Sequence, residues 1–159
     1  FVYIDEGSTL QAFAERLHPS RPMTVVTNAL PVATVLAPRD NVELLVLGGR
    51  IRSHTLGAID HWAVRMLEDF VFDLALVGTN GVTLERGLTC PDAGVAAVKA
   101  RAVVSSRRVV LLADGTKFGA DSSYRFAQIR DLSTIVTDRS AGDGPLRRIR
   151  AAGVETVVV

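Results

Sequence analysis

The sequence predicts an α/β fold: a Rossmann-like, mostly parallel sheet with helices on both faces. Three observations point to it. Apolar runs of four to seven residues alternate with helical patterns, as repeated βαβ units require. Apolar residues make up 48% of the chain but aromatics only 6%, so the core is aliphatic, as in a sheet buried on both sides. The unusual polar residues and glycines fall just after the carboxyl ends of the expected strands, the edge where open α/β sheets bind ligands.

Phe1 to Ile4 reads as the first strand, Asp5 to Ser8 as a turn, and Thr9 to Leu17 as a helix with Leu10, Phe13, Ala14 and Leu17 on one face. His18-Pro19 stops that helix. Met23 to Val26 is the next strand. Asn28 is placed to cap a helix over Ala29 to Leu36, and Val42 to Leu47 is a third strand that runs into Gly48-Gly49. Trp62 to Phe70 has the apolar stripe of an amphipathic helix, with Trp62, Met66 and Leu67 fitting either core or a subunit contact. Leu74 to Val77 is a fourth strand, followed by a Gly-rich loop from Gly78 to Gly87 whose length suggests function. A helix over Gly94 to Val104 follows, then strands over Val109 to Ala113 and Thr134 to Val136. A helix over Leu146 to Ala152 and a last strand over Val154 to Val159 complete the pattern. Ser122 to Ile129 reads as strand or turn, because Tyr124, Phe126 and Ile129 keep no single period.

The 159 residues are expected to form one domain, 1–159, large enough to bury a real core. A net charge of +1 excludes the strongly basic kind of domain that wraps nucleic acid. One cysteine, Cys90, excludes an intrachain disulfide and a multi-cysteine zinc site, and it fits a reducing compartment. No apolar run approaches the roughly 18 residues that span a bilayer, and no basic-then-apolar leader is present, so a cytoplasmic location without membrane contact is expected. The chain opens on Phe1, already inside a strand-like run, and reads as a fragment whose upstream part has been removed.

Five loops are expected to meet on one rim: Asp5-Glu6-Gly7-Ser8-Thr9, Thr27-Asn28, Gly48-Gly49-Arg50, Gly78-Thr79-Asn80-Gly81 and Asp114-Gly115-Thr116-Lys117. In the first, glycine lets backbone approach a ligand, while Ser8 and Thr9 offer hydroxyls and N–H groups at a helix start, where an anion such as phosphate is favoured. The alternative is a plain turn with Ser8 or Thr9 as N-cap. Lys99 and Lys117 are the only lysines among 18 basic residues. A compact ammonium suits a point contact with phosphate or a sugar oxygen, and a solvated surface position is the alternative. Asp5 and Asp114 begin their loops and read equally as turn residues. No P-loop or GxGxxG fingerprint is present, so no cofactor is expected.

IDEGST before a helix, VVTNAL, LLVLGGRIR, DLALVGTNGV, GLTCPD, AAVKARAV, VVLLADGTKFG and IVTD, in this order and covering nearly the whole chain, resemble the C-terminal effector-binding domain of DeoR-family bacterial transcriptional regulators. That resemblance implies a fold similar to ribose-5-phosphate isomerase and the CoA-transferase-like group. It implies a winged helix-turn-helix domain upstream, which alone would touch DNA, and a phosphorylated sugar or polyol as effector. It places Gly7, Ser8 and Thr9 on the phosphate and Asp5 toward the sugar hydroxyls. Thr27, Asn28, Gly49, Thr79, Asn80, Gly81, Lys99, Asp114 and Lys117 fall on the rim. Two positions depart from the family pattern: Leu10, where a second threonine is usual, and Val95, where an acidic residue four before the lysine is usual. Regulators of this kind pair to match palindromic operators, so a homo-oligomer is expected.

The competing expectation is a sugar-phosphate isomerase on the same scaffold. Such an enzyme needs a positioned base, usually a carboxylate. Similar isomerases carry acidic residues in the loop after the fourth strand, where this chain has Thr79 and Asn80, and Glu85 reads as the only carboxylate nearby. Catalytic residues are therefore not expected, and replacing Lys99 by Ala is expected to weaken phosphosugar binding while leaving the fold intact. No GxSxG elbow exists. His18, His54 and His61 are scattered without ligand spacing, so no metal is expected. The Arg147-Arg148-Arg150 cluster reads as a solvated helix end.

Overall fold

The computed structural model describes residues 1–159. Seven strands form the central sheet: β1 (Val2–Ile4), β2 (Met23–Thr27), β3 (Val42–Val46), β6 (Leu74–Val77), β9 (Val109–Leu112), β11 (Thr134–Thr137) and β12 (Glu155–Val158). Their order across the sheet is β12-β11-β9-β6-β1-β2-β3, and every neighbouring pair is parallel. The chain winds from β1 outward to β3, then returns to the other side of β1 and winds outward to β12. The switch point lies between β1 and β6, and at such a point two neighbouring connections leave a crevice at the carboxyl ends of the strands.

Side-chain alternation along the central strands feeds two cores. Ile4 and Val25 face a smaller core with Leu10 and Ala14 of α1 (Ser8–Arg16) and Val32 and Leu36 of α2 (Leu30–Leu36). Tyr3 and Val26 face a larger one with Ala63 and Leu67 of α3 (His61–Leu67), Val98 and Ala102 of α4 (Ala93–Val104) and Ile149 of α5 (Asp143–Ala151). Helices thus cover both faces, as the apolar patterning predicts. The edge strands are less buried than a sequence of aliphatic residues implies: Leu45 and Val46 of β3 and Val158 of β12 are exposed, since an edge strand has one neighbour instead of two. On α3 Leu67 is buried, whereas Trp62 and Met66 are exposed.

Three local features differ from expectation. The Gly78 to Gly87 stretch is not an open loop: β7 (Gly81–Thr83) turns back into β8 (Gly87–Cys90), and β10 (Tyr124–Ala127) completes a small antiparallel sheet. Gly87 permits the turn, because its φ is +77° and a Cβ there would meet the Ala127 carbonyl oxygen at 2.2 Å. The ladder between β10 and β8 slips between Arg125 and Ala127, and Tyr124 is exposed while Phe126, two residues on, is buried, so Tyr124, Phe126 and Ile129 keep no single period. Second, a short antiparallel pair, β4 (Arg50–Ile51) and β5 (Ala58–Ile59), forms a strap between β3 and α3. Third, Asn28 does not cap α2, whose N-cap is Ala29 without a side-chain bond. The buried Asn28 side chain instead accepts from the Tyr3 hydroxyl (2.9 Å) and donates to the Ala58 carbonyl (3.1 Å), tying the strap to the sheet. Burial holds the Tyr3 phenol well above its ordinary pKa, so it remains a donor to Asn28.

Candidate functional site

The carboxyl ends of β1 and β6 put Asp5 and Gly78 side by side at the switch point. Asp5 is fully buried, and its Oδ2 accepts from the Gly78 N–H (3.0 Å) and from Lys99 Nζ. Lys99 reaches this position from the middle of α4. It also donates to the Gly78 carbonyl (3.2 Å), and its ammonium sits 5.6 Å from the Phe126 ring centroid. The second oxygen of Asp5, Oδ1, is buried without a partner. An ion pair from two elements therefore forms the floor of the crevice.

Above this floor, α1 begins without a cap of its own. Gly7 is the N-cap at φ +123°, no side chain bonds the first turn, and a Cβ on Gly7 would meet nothing within 4 Å. The N–H groups of Gly7, Ser8, Thr9 and Leu10 have no acceptor in the protein; the first helical bond of this turn is Gln11 N–H to the Gly7 carbonyl (2.9 Å). Ser8 and Thr9 lie within the helix with exposed side chains, which removes the reading in which one of them is the N-cap. Several aligned, unsatisfied N–H groups with the positive end of the helix dipole behind them form a cradle with the chemistry to accept an anion.

The cradle opens into a cleft of about 240 Å³. Only four of its eighteen lining residues are hydrophobic, so it suits a polar ligand. Thr79 and Asn80 supply the wall after β6, Asp92 and Val95 the wall at the start of α4, and Asp114 and Lys117 the wall after β9. Arg52 and Thr55 reach in from the strap. The Thr79 hydroxyl lies 2.9 and 3.0 Å from the Gly81 and Thr89 carbonyls, whereas the exposed Asn80 side chain bonds nothing in the protein. Each cation of the cleft already faces a carboxylate: Lys99 faces Asp5, Arg52 lies 3.8 Å from Asp92, and Lys117 lies 3.7 Å from Asp114. Attraction for an anion therefore comes from backbone N–H groups as much as from side-chain charge.

Glu6 stands beside the cradle with 4% of its surface exposed. Burial raises its pKa, and the Asp5 charge raises it further; Lys99, the Thr55 hydrogen bond and Arg52 oppose them with smaller effects. Asp114 is shifted the other way, held below its ordinary value chiefly by the Thr116 hydroxyl, and so stays ionised.

The structure brings Gly7, Ser8, Thr9, Thr79, Asn80, Lys99, Asp114 and Lys117 to one cleft, with Asp5 directly beneath Lys99. Of the five loops expected on the rim, those after β1, β6 and β9 meet there; those after β2 and β3 do not. Thr27 is buried, with its hydroxyl accepting the Ala29 N–H (3.1 Å), and Asn28 holds the strap. Gly49 packs against the Ile59 carbonyl, and Gly81 sits in β7 against Ala120. Glu85 is not the only nearby carboxylate and is not in the cleft: it is exposed and paired with Arg148 (2.9 Å), while Glu6, Asp92 and Asp114 line the cleft. Sequence reasoning passed over Glu6, Arg52, Thr55 and Asp92. Glu6 carried a signal, since it directly precedes the expected cradle; Arg52 and Thr55 carried none, because only the folded strap brings them in.

Comparisons with known proteins identify the family. A family model described as the DeoR C-terminal sensor domain matches residues 1–139. The chain is 29% identical over 157 residues to the HTH-type transcriptional repressor GlcR of Bacillus subtilis (strain 168), covering 99% of this chain and 60% of that relative. It is 32% identical over 156 residues to the HTH-type transcriptional regulator GlpR of Haloferax volcanii, covering 98% and 61%. It is 28% identical over 137 residues to the glycerol-3-phosphate regulon repressor of Escherichia coli (strain K12), covering 86% and 54%. The chain thus spans 54 to 61% of the length of these transcriptional regulators. With 139 of its 159 residues under the family model, the chain belongs to the DeoR family of transcriptional regulators, as its C-terminal sensor domain.

Proposed function

We propose that the cleft senses a phosphorylated sugar or polyol, with the phosphate on the N–H groups of Gly7, Ser8, Thr9 and Leu10, and that occupancy alters operator binding by a separate N-terminal winged helix-turn-helix domain. The observation that carries this reading is the uncapped start of α1 opening into a strongly polar cleft. Asn80, Thr79, Asp114 and Lys117 face the same space and supply donors and acceptors for hydroxyl groups. One relative is named as the repressor of the glycerol-3-phosphate regulon, and a phosphorylated polyol as effector here is in keeping with that name. A cytoplasmic, homo-oligomeric regulator that meets DNA only through its other domain fits this role; no helix of the chain is long and apolar enough to cross a membrane.

A thermal-shift series with inorganic phosphate, pentose and hexose phosphates and polyol phosphates tests the reading. At a concentration of 100 Kd a ligand that binds only the folded state adds about 2.7 kcal/mol, which for a chain of this size raises the melting temperature by roughly 5–10 °C. No shift with any phosphate ester would end the proposal.

One observation favours a second reading, an isomerase. Glu6 is a carboxyl in the cleft with a raised pKa, as a general base often is. The sensor reading predicts that a coupled isomerase assay stays at background even for compounds that raise the melting temperature. Turnover that disappears in Glu6→Gln would restore the enzyme.

A further inference from the structure

The two carboxyl oxygens of Glu6 have different environments. Oε2 accepts from the Thr55 hydroxyl (2.9 Å), and it occupies the space where a residue other than glycine at position 57 would place its Cβ, 1.6 Å away. Oε1 accepts nothing from the protein, although the residue is 4% exposed and lines the cleft. The Glu6 side chain is therefore held at one oxygen and open at the other, one residue before the anion cradle.

We infer that Glu6 is the specificity-determining residue of this cleft: its free oxygen receives a hydroxyl on the carbon chain next to the bound phosphate, so that the site selects hydroxylated phosphate esters over phosphate itself and over apolar esters. This rests on the phosphate reading above and deepens it by naming the residue that selects the hydroxylated esters. A carboxyl beside an anion site repels a second anion and rewards a donor. The proposed donor is a neutral hydroxyl; Lys99 and Arg52 disfavour a ligand ammonium beside Glu6 whereas Asp5 favours one, so an amino group is made an outcome of the test. Asp5, Lys99, Arg52 and the Thr55 hydroxyl all act on Glu6, and of these only the Thr55 hydroxyl is hydrogen-bonded to it, at Oε2. Left without a ligand hydroxyl, this nearly buried oxygen would lack a partner in the occupied cleft, which is how a polar site rejects an analogue missing one group.

Titration calorimetry of the 159-residue chain with glycerol 3-phosphate, propyl phosphate, inorganic phosphate and O-phosphoethanolamine decides the matter. The wild type should bind glycerol 3-phosphate about ten- to a hundredfold more tightly than propyl phosphate, the range of one charge-assisted hydrogen bond. Glu6→Gln should reduce that ratio severalfold while inorganic phosphate binds unchanged or more tightly. Gly57→Ala leaves the carboxyl in the chain but pushes it out of place, and should reduce the ratio in the same way, so the test survives if one variant fails to fold. A ratio unchanged in both variants would overturn the inference while leaving the phosphate site standing. Tighter binding of O-phosphoethanolamine that is lost in Glu6→Gln would overturn it in favour of an amino group. Failure of every phosphate compound to bind the wild type would instead remove the phosphate reading itself, and this inference with it.

Discussion

The floor and the outer lip of the cleft each contain one lysine and one aspartate, and the two pairs differ in almost every physical respect. Lys99 has 5% of its side chain exposed, and Asp5 none; the two residues lie 94 apart in sequence. Lys117 and Asp114 are 35% and 44% exposed, lie three residues apart on one turn and approach only to 3.7 Å. Water and salt screen the outer pair, so its attraction contributes little to folding. The inner pair has lost its hydration, and either member without the other is an uncompensated buried charge. The comparison separates two situations that residue type cannot: the inner lysine is locked into a buried ion pair, and the outer one stays in solvent in a loose, screened pair.

The largest expected effect follows from breaking the inner pair. Asp5→Ala and Lys99→Ala should each lower unfolding stability by about 3–5 kcal/mol in urea titrations. The buried pair thus predicts a larger cost for Lys99→Ala than the sequence alone led one to expect. The double variant Asp5→Leu with Lys99→Met should recover much of the loss, because two apolar groups of similar size replace two charges together. Single variants within 1 kcal/mol of wild type would show that the floor does not depend on the pair.

An intermediate effect is expected at Glu6 and Thr55, between floor and lip. Thr55→Val removes the one protein donor to the Glu6 carboxyl and should cost about 1–2 kcal/mol. Because the folded state raises the Glu6 pKa above its ordinary 4.5, the native protein holds that proton more tightly than the unfolded chain does. The stability from this protonation is complete below the ordinary value and is lost as pH rises through the raised one. Glu6→Gln does not titrate, so its melting temperature relative to wild type should climb over that interval and level off above it. A difference independent of pH would place Glu6 in an environment more like the lip.

The smallest effect on folding belongs to the lip. Lys117→Ala should change stability by no more than about 0.5 kcal/mol, as for other exposed pairs. It should nevertheless weaken phosphate-ester binding severalfold, and more at low salt than at high salt. A stability loss comparable to that of Lys99→Ala would erase the distinction between the two pairs.

How much of this was legible in the sequence depended on how local the controlling physics is. The alternation of aliphatic strands with amphipathic helices is written residue by residue, since burial on one face or both sets the period within each segment. The glycine and hydroxyl residues after β1 were legible for the same reason: an anion cradle is a strand end, a flexible residue and a helix start in immediate succession. Asn28 shows the opposite case. Before a helix it reads as a cap, but Tyr3 and Ala58, 25 and 30 residues away in sequence, offer it buried partners and it bonds to them instead. The β7–β8 hairpin was hidden because its strands are short and Gly-rich, and are held by pairing with the distant β10.

The sequence by itself determined the parallel α/β architecture and the glycine turn into α1, because both follow from patterns within a few consecutive residues; that the turn is left uncapped was decided by the fold. Only the tertiary structure decided that Lys99 is buried against Asp5 while Lys117 stays in solvent, and that the strap brings Arg52 and Thr55 to Glu6. Burial and charge pairing depend on which elements become neighbours, and at the β1–β6 switch point those neighbours come from widely separated parts of the chain.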